Sequence, residues 1–374
     1  MNKRDKSFLV LRNSDGLGLE HGQSHMSRIG NVSYNFGYSE DGIGLGYGQS
    51  PKTKAKKIGH GVKAGLCKNL YTVISKKKAV NPIKSKPKFL WILDNGHGKF
   101  TTETFLKKGS KNPGNCSPLL TDKSTLSKDS KPLLTDIDTS LLSEDSKSLL
   151  IPVKNDDGSI AGYRLLEYKV ARDIVKRIIS KMPGSSYKLL VPEEFNIGID
   201  ERVRRANALA NANTDTIFIF ISVHTNAIGN GDTWENSSGI ETLYPSEKDF
   251  CAGLKGNAKT KCEQANKLVE KELVAKSEYL AGCFQQKLAL ATGWINRNIK
   301  PSSHVGVLKR TKMTAILTEN GFHTNKEDCK KLLSSYPDWR DRIAQAHVDA
   351  MIEIESESKW EEFEKTGKIE NESK

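Results

Sequence analysis

Four residues with side chains suited to hydrolytic chemistry stand where an α/β fold would gather them: His97 in DNGHGK, Glu167 in LLEYKV, His224 in ISVHTNA and Glu319 in AILTENGF. His97, His224 and Glu319 each follow or end a short run rich in β-branched and aromatic residues. In open α/β sheets, ligands bind beyond the carboxyl ends of the strands. Glu167 lies three residues before Val170 and seven before Ile174, on the apolar stripe of an amphipathic segment. A carboxylate on such a stripe needs a partner, because an unpaired buried charge is costly. Two neutral imidazoles and one carboxylate, with a fourth position left to water, form a catalytic zinc donor set. Zinc there would polarise a carbonyl and lower the pKa of its water to about 7. Glu319 would then act as general base and pass the proton to a leaving amine. Singly, each residue has an ordinary explanation: a turn histidine, a core histidine, a helix-dipole partner, a cap. Their joint placement at three strand ends and one helix carries the reading.

The elements that must position these residues are legible from periodicity. PKFLWILD reads as a strand ending near Asp94, Tyr187–Val191 as a short strand, and IFIFISV, residues 217–223, as a central strand buried on both faces. Ile240–Tyr244 and TAILT, residues 314–318, add two more strands. Helical spacing is expected over Arg164–Met182, Ile199–Ala212, Cys262–Trp294 and Arg340–Ile354. Alternating strands and helices predict an α/β domain with a mostly parallel sheet flanked by helices on both faces. That catalytic domain is expected to occupy residues 89–360.

The segments WILDNGHG, LLEYKVARDIVKRI, IFISVHTNA, SGIETLYP and AILTENGFHTN, in that order, resemble the zinc-dependent N-acetylmuramoyl-L-alanine amidases, a family of bacterial cell-wall amidases and phage endolysins. The resemblance covers roughly residues 89–355. It implies zinc held by His97, Glu167 and His224, general catalysis by Glu319, a six-stranded twisted sheet, and cleavage of peptidoglycan between the muramoyl lactyl group and L-alanine. Lys99 stands where the family has the second glycine of its GHGG, and the stretch between His97 and Glu167 is much enlarged. Asn226 and Arg310 sit where substrate contacts would be expected. A zinc peptidase acting on peptidoglycan stem peptides would use the same metal chemistry. A non-catalytic virion structural or binding protein is the alternative from another class, and the intact set of four residues argues against it. HExxH, P-loop and Ser/His/Asp patterns are absent.

Charge and repeats set the remaining segments apart. Residues 51–88 carry twelve lysines and no acidic side chain, whereas 1–50 are neutral and 89–374 carry net +1. The lysine-rich stretch is expected to be either a linker or a segment attracted to anionic cell-envelope polymers. Residues 1–50 contain a ten-residue near-repeat, DGLGLEHGQS and DGIGLGYGQS, and are expected to form an irregular Gly-rich docking or wall-binding segment. PLLTD occurs at 118–122 and 132–136, with LSKDS at 126–130 and LSEDS at 142–146; residues 117–150 read as a long inserted loop, and 361–374 as a polar tail. No apolar run is long enough for a transmembrane helix. The only apolar run near the N-terminus, FLVL, is too short for a secretory signal. The chain is therefore expected to be made in the cytoplasm and to act on the wall after release, or to be carried in a virion. For such a protein, reduced thiols are the expectation for the six cysteines, with a Cys251–Cys262 bridge as the alternative in an oxidising space.

Overall fold

The computed structural model describes residues 88–99, 114–122, 136–183, 186–211, 216–229, 231–356 and 360, and the backbone of 27–29, 32–39 and 42–46. The chain divides into two compact units, Met1–Lys84 and Ser85–Lys374. In the first unit the described residues are not irregular. β1 (Ser27–Ile29), β2 (Val32–Ser39) and β3 (Gly42–Gly46) form an antiparallel three-stranded sheet in that order. The second copy of the glycine repeat supplies β3. The first copy, residues 15–24, lies outside the described residues, as do the lysine-rich stretch up to Pro87 and the tail 361–374.

The second unit is built on a six-stranded sheet. Its strands are β4 (Lys88–Asn95), β9 (Tyr187–Leu189), β10 (Thr216–Asn226), β11 (Ile240–Pro245), β12 (Asn296–Ser302) and β13 (Thr314–Phe322), ordered β12-β11-β13-β10-β4-β9. All neighbours run parallel except β11 and β13, which pair antiparallel. The mostly parallel α/β sheet is therefore as the sequence predicts. β10 is central, and alternate residues of β4 and β10 face opposite layers. Trp91, Leu93, Ile219, Ile221 and Val223 pack with α2 (Glu167–Lys181), α4 (Gly256–Thr292) and α7 (Trp339–Ser356). Ile92 and Phe220 pack on the other side with residues of α3 (Ile199–Ala210) and α5 (Gly306–Arg310). Two-sided burial is why these strands are apolar without alternation.

Two expectations need correction. The helix read from Arg164 begins at Glu167, because Ile160–Leu165 is strand β8, paired antiparallel with β7 (Leu150–Lys154). Leu165 and Leu166 fit either period, and the hairpin pairing decides between them. Nor is 117–150 a structureless loop. β5 (Thr121–Asp122) pairs with β6 (Asp136–Ile137), and α1 (Glu144–Ser148) precedes β7. Leu120, Ile137, Leu149 and Leu150 are buried in the main core and anchor this stretch to the domain. Its residues 123–135 lie outside the described residues.

Cys251 and Cys262 form a disulfide that joins the turn after β11 to the second turn of α4, which corrects the expectation of reduced thiols at these two positions. Among the described residues, Cys116, Cys283 and Cys329 form no disulfide. Among the described residues no helix is long and apolar enough to cross a membrane.

Candidate metal centre and cleft

Parallel β4, β10 and β13 lie side by side, so their carboxyl ends share one edge of the sheet. His97 follows β4 by two residues, and His224 and Glu319 are direct register partners on β10 and β13. Glu167 is the first residue of α2, delivered to the same edge by the β7–β8 hairpin. The fold thus brings all four together.

One ligand atom from each of His97, Glu167 and His224 can be chosen so that all lie within 4.8 Å of one another. His97 Nε2 is 3.4 Å from Glu167 Oε2, and His224 Nδ1 is 2.9 Å from Glu167 Oε1. Ligand atoms bound tetrahedrally at 2.0–2.1 Å would be about 3.3 Å apart, so the spacing fits a small divalent ion. The electrostatics agree. Burial alone would raise the Glu167 carboxyl, but the two imidazoles hold it down at about 2. Burial lowers the pKa of His97. It opposes charging of His224 as well, yet the Glu167 carboxylate beside that ring raises its pKa overall. Burial, together with Glu167 and Glu241, pushes Glu319 up to about 8. Its Oε2 is buried with no hydrogen-bond partner among the described residues. Two carboxylates withdrawn from water at one sheet edge are costly unless a cation offsets them.

Local packing fixes this geometry. A Cβ at Gly96 would sit 2.4 Å from His224 Cε1, so glycine leaves the ring its space. One at Gly98 would meet the backbone of Asn196 at 2.5 Å. Between them His97 adopts a left-handed backbone, φ 54°, unusual for a residue with a side chain. Its carbonyl accepts from Arg202 Nη2 at 2.6 Å. Arg202, on α3, also donates to Asp94, to the Asn95 carbonyl and to the Ile197 carbonyl, and Ser222 Oγ donates to the other Asp94 oxygen. This buried ion pair ties the end of β4 to α3.

The site opens into a cleft of about 460 Å³. His97, His224 and Glu319 line it, Gly198 and Ile199 at the start of α3 contribute one wall, and His304 to Val307 contribute the other. Neither Asn226 nor Arg310 is among the cleft-lining residues. The Asn226 amide donates to Glu241, whose second oxygen accepts from Arg297 and Lys300. Arg310 pairs with the exposed Asp200. Sequence reasoning missed Asp94, Asn115, Arg202, His304 and His323. Asp94 and His323 do lie inside segments singled out for their neighbours, but nothing local distinguishes a buried arginine such as Arg202 from the exposed arginines beside it.

Comparison with known proteins gives a consistent result. A family profile described as N-acetylmuramoyl-L-alanine amidase matches residues 152–353, a span that includes Glu167, His224 and Glu319 and leaves out His97. The N-acetylmuramoyl-L-alanine amidase LytC of Bacillus subtilis is 30% identical over 197 residues, 53% of this chain and 32% of that protein. An uncharacterized cell wall amidase of Bacillus anthracis is 34% identical over 128 residues, 34% of this chain and 19% of that protein. The chain thus spans a third or less of the length of these relatives. Among solved structures, an N-acetylmuramoyl-L-alanine amidase from Clostridium difficile 630 aligns at a TM-score of 0.40 with 18% identity, covering 72% of this chain and 97% of that one. The catalytic domain of CwlV from Bacillus (Paenibacillus) polymyxa aligns at 0.40 with 19% identity, covering 71% and 96%.

Proposed function

Because the chain belongs to the N-acetylmuramoyl-L-alanine amidase family, we propose that it is a zinc-dependent peptidoglycan hydrolase that cleaves the amide bond between N-acetylmuramic acid and L-alanine. The observation that carries this is the meeting of His97, Glu167 and His224 beside the Oε2 of Glu319, which has no hydrogen-bond partner among the described residues, at an open cleft.

Zinc in this set would supply Lewis-acid polarisation of the scissile carbonyl and of the attacking water. The protein's own residues do the rest. Glu319 accepts the water proton at Oε2 and hands it to the departing amine nitrogen. A divalent charge close by favours its ionised form, the form that can accept. Arg202 holds the His97 turn in place through its carbonyl. The walls at Gly198–Ile199 and His304–Val307 confine the substrate so that its carbonyl meets the reacting groups. Asn226, two residues beyond His224, and Arg310, on the helix that begins at the cleft wall, are proposed to meet parts of the substrate that extend past the cleft.

The Cys251–Cys262 bridge supports action outside a reducing compartment, as for a lytic or virion-carried enzyme working on a wall. The basic stretch 51–88 is proposed to concentrate the protein on anionic envelope polymers.

The test is mass spectrometry of purified sacculi digested with zinc-loaded protein. Whole stem peptides freed from glycan are expected, and His97→Ala or His224→Ala should abolish both zinc binding and release. Cleavage inside the stem peptide would mark a peptidase instead. Full zinc content and full activity in either variant would refute the site.

A further inference from the structure

The excursion between His97 and Glu167 returns to the site through residues 114–117, and there one residue touches both ends of the donor set. The Asn115 amide Nδ2 lies 3.1 Å from His97 Nδ1. The Asn115 main-chain carbonyl accepts from the Glu167 N–H at 3.2 Å. Its neighbours lock it in place. The Gly114 carbonyl is 3.1 Å from His323 Nε2, and His323 Nδ1 is 3.0 Å from Thr225 Oγ1. The Thr225 N–H in turn donates to Glu167 Oε1 at 3.3 Å, closing a ring of contacts around the site. On the other side of Asn115, the Ser117 N–H donates to the Leu165 carbonyl, and Cys116 pairs with Leu166.

We propose that Asn115 is a positioning residue that sets the tautomer of His97, turning its amide to serve either the metal-free or the metal-holding state. The proposal rests on reading His97, Glu167 and His224 as the metal-holding set. In the arrangement observed, the amide N–H donates to Nδ1, which places the ring proton on Nε2, facing Glu167 Oε2 at 3.4 Å. To bind a metal through Nε2, the ring must carry its proton on Nδ1 instead, and that N–H needs an acceptor. A half-turn of the Asn115 side chain presents Oδ1 at the same place. An asparagine offers both a donor and an acceptor from one amide, so it can satisfy the ring in both states without backbone movement. Because its main chain also holds the first N–H of α2, the same residue couples the His97 turn to the helix that carries Glu167.

Two variants of the full chain test this. Asn115→Leu keeps the main-chain bond and removes both amide groups; Asn115→Asp keeps only acceptors. Zinc affinity is measured by competition with a chromophoric chelator at neutral pH, and the thermal midpoint of the metal-free proteins is recorded in parallel. Asn115→Leu should weaken zinc about 10–100-fold, the usual effect of losing an outer partner of a ligand histidine. Asn115→Asp should bind zinc at least as tightly as the unaltered protein. A lowered thermal midpoint in Asn115→Leu with unchanged zinc affinity would show a merely structural role and overturn the proposal, as would equal weakening in both variants or failure of the unaltered protein to bind zinc. If that protein binds zinc with the expected variant pattern yet frees no stem peptide from sacculi, the positioning role stands and the amidase reading falls.

Discussion

Glu167 is buried and Glu319 half-buried on one sheet edge, and their surroundings suit them to different tasks. Glu167 lies within reach of two imidazoles that keep it ionised, whereas Glu319 faces the cleft with an oxygen that nothing among the described residues satisfies. The same isosteric change should therefore do different things. Glu319→Gln keeps size and reach but cannot accept a proton, so zinc should stay bound while turnover falls about 10²–10⁴-fold. Glu167→Gln should lose zinc, and activity with it. Metal content by atomic absorption beside a dye-release assay on labelled sacculi separates the two, and equal zinc loss in both variants would contradict the division of roles. Legibility at this scale was uneven. Glu319 was legible only jointly with the two histidines, because a carboxylate after a buried apolar run could by itself be a cap. Asn115 sits in a polar stretch with no period, so nothing local marks it, and only the return of the chain to His97 does.

At the scale of elements, the helices that cover the sheet carry buried polar groups of their own. His347 on α7 is fully buried, with Nε2 3.0 Å from Thr318 Oγ1, Nδ1 2.8 Å from the Ile343 carbonyl, and the Phe284 ring edge-on to the imidazole. Burial pushes its pKa down to about 4 from the ordinary 6.5. The folded state thus refuses a proton that the unfolded chain accepts. Between those two values the unfolded state binds more protons, so stability falls as pH falls through the window and is unaffected by this group above it. The loss should reach at most about 3 kcal/mol. Urea midpoints measured from about pH 7 to about pH 4.5 should fall more steeply for the unaltered protein than for His347→Gln, whatever cost the substitution carries at neutral pH; parallel slopes would assign the acid sensitivity elsewhere. On the opposite layer, the buried Lys248 ammonium donates to the carbonyls of Leu308, Thr311 and Met313, gathering the end of α5 whose start forms a cleft wall. The sequence showed these helices by their apolar period, but not their boundaries, because Arg164 and Leu165 were claimed by strand pairing instead.

For the whole molecule, the proposed site lies in the unit Ser85–Lys374, whereas +10 of the net charge of +13 lies before it. Deleting residues 1–84 should leave turnover of soluble muropeptide fragments nearly unchanged and reduce lysis of intact sacculi. The advantage of the full chain should shrink with added salt, since attraction to an anionic surface fades as the Debye length falls below about 10 Å at 0.1 M. Turbidity clearing across a salt series checks this. A truncated chain that is inactive on soluble fragments would place part of the catalytic fold before Ser85. Equal clearing by both proteins at low salt would leave the basic stretch a linker.

The sequence by itself determined the sheet class and pointed to the four residues proposed to carry the chemistry. Both are written in short-range patterns: a short apolar run rich in β-branched and aromatic residues, such as IFIFISV, reads as a strand covered on two sides, and parallel neighbours send their carboxyl ends to one edge. Which polar residues would serve those four was decided by tertiary structure alone. Arg202 reaches the His97 carbonyl across more than a hundred residues of chain. Asn115 returns to His97 after a long excursion, and Asn226 is taken up by Glu241 on β11, across the intervening β13. The Cys251–Cys262 bridge is of the same kind, since two cysteines eleven residues apart pair only when a turn and a helix bring them within reach. A side chain's partners depend on packing between elements, and that packing has no period in the sequence from which to read it.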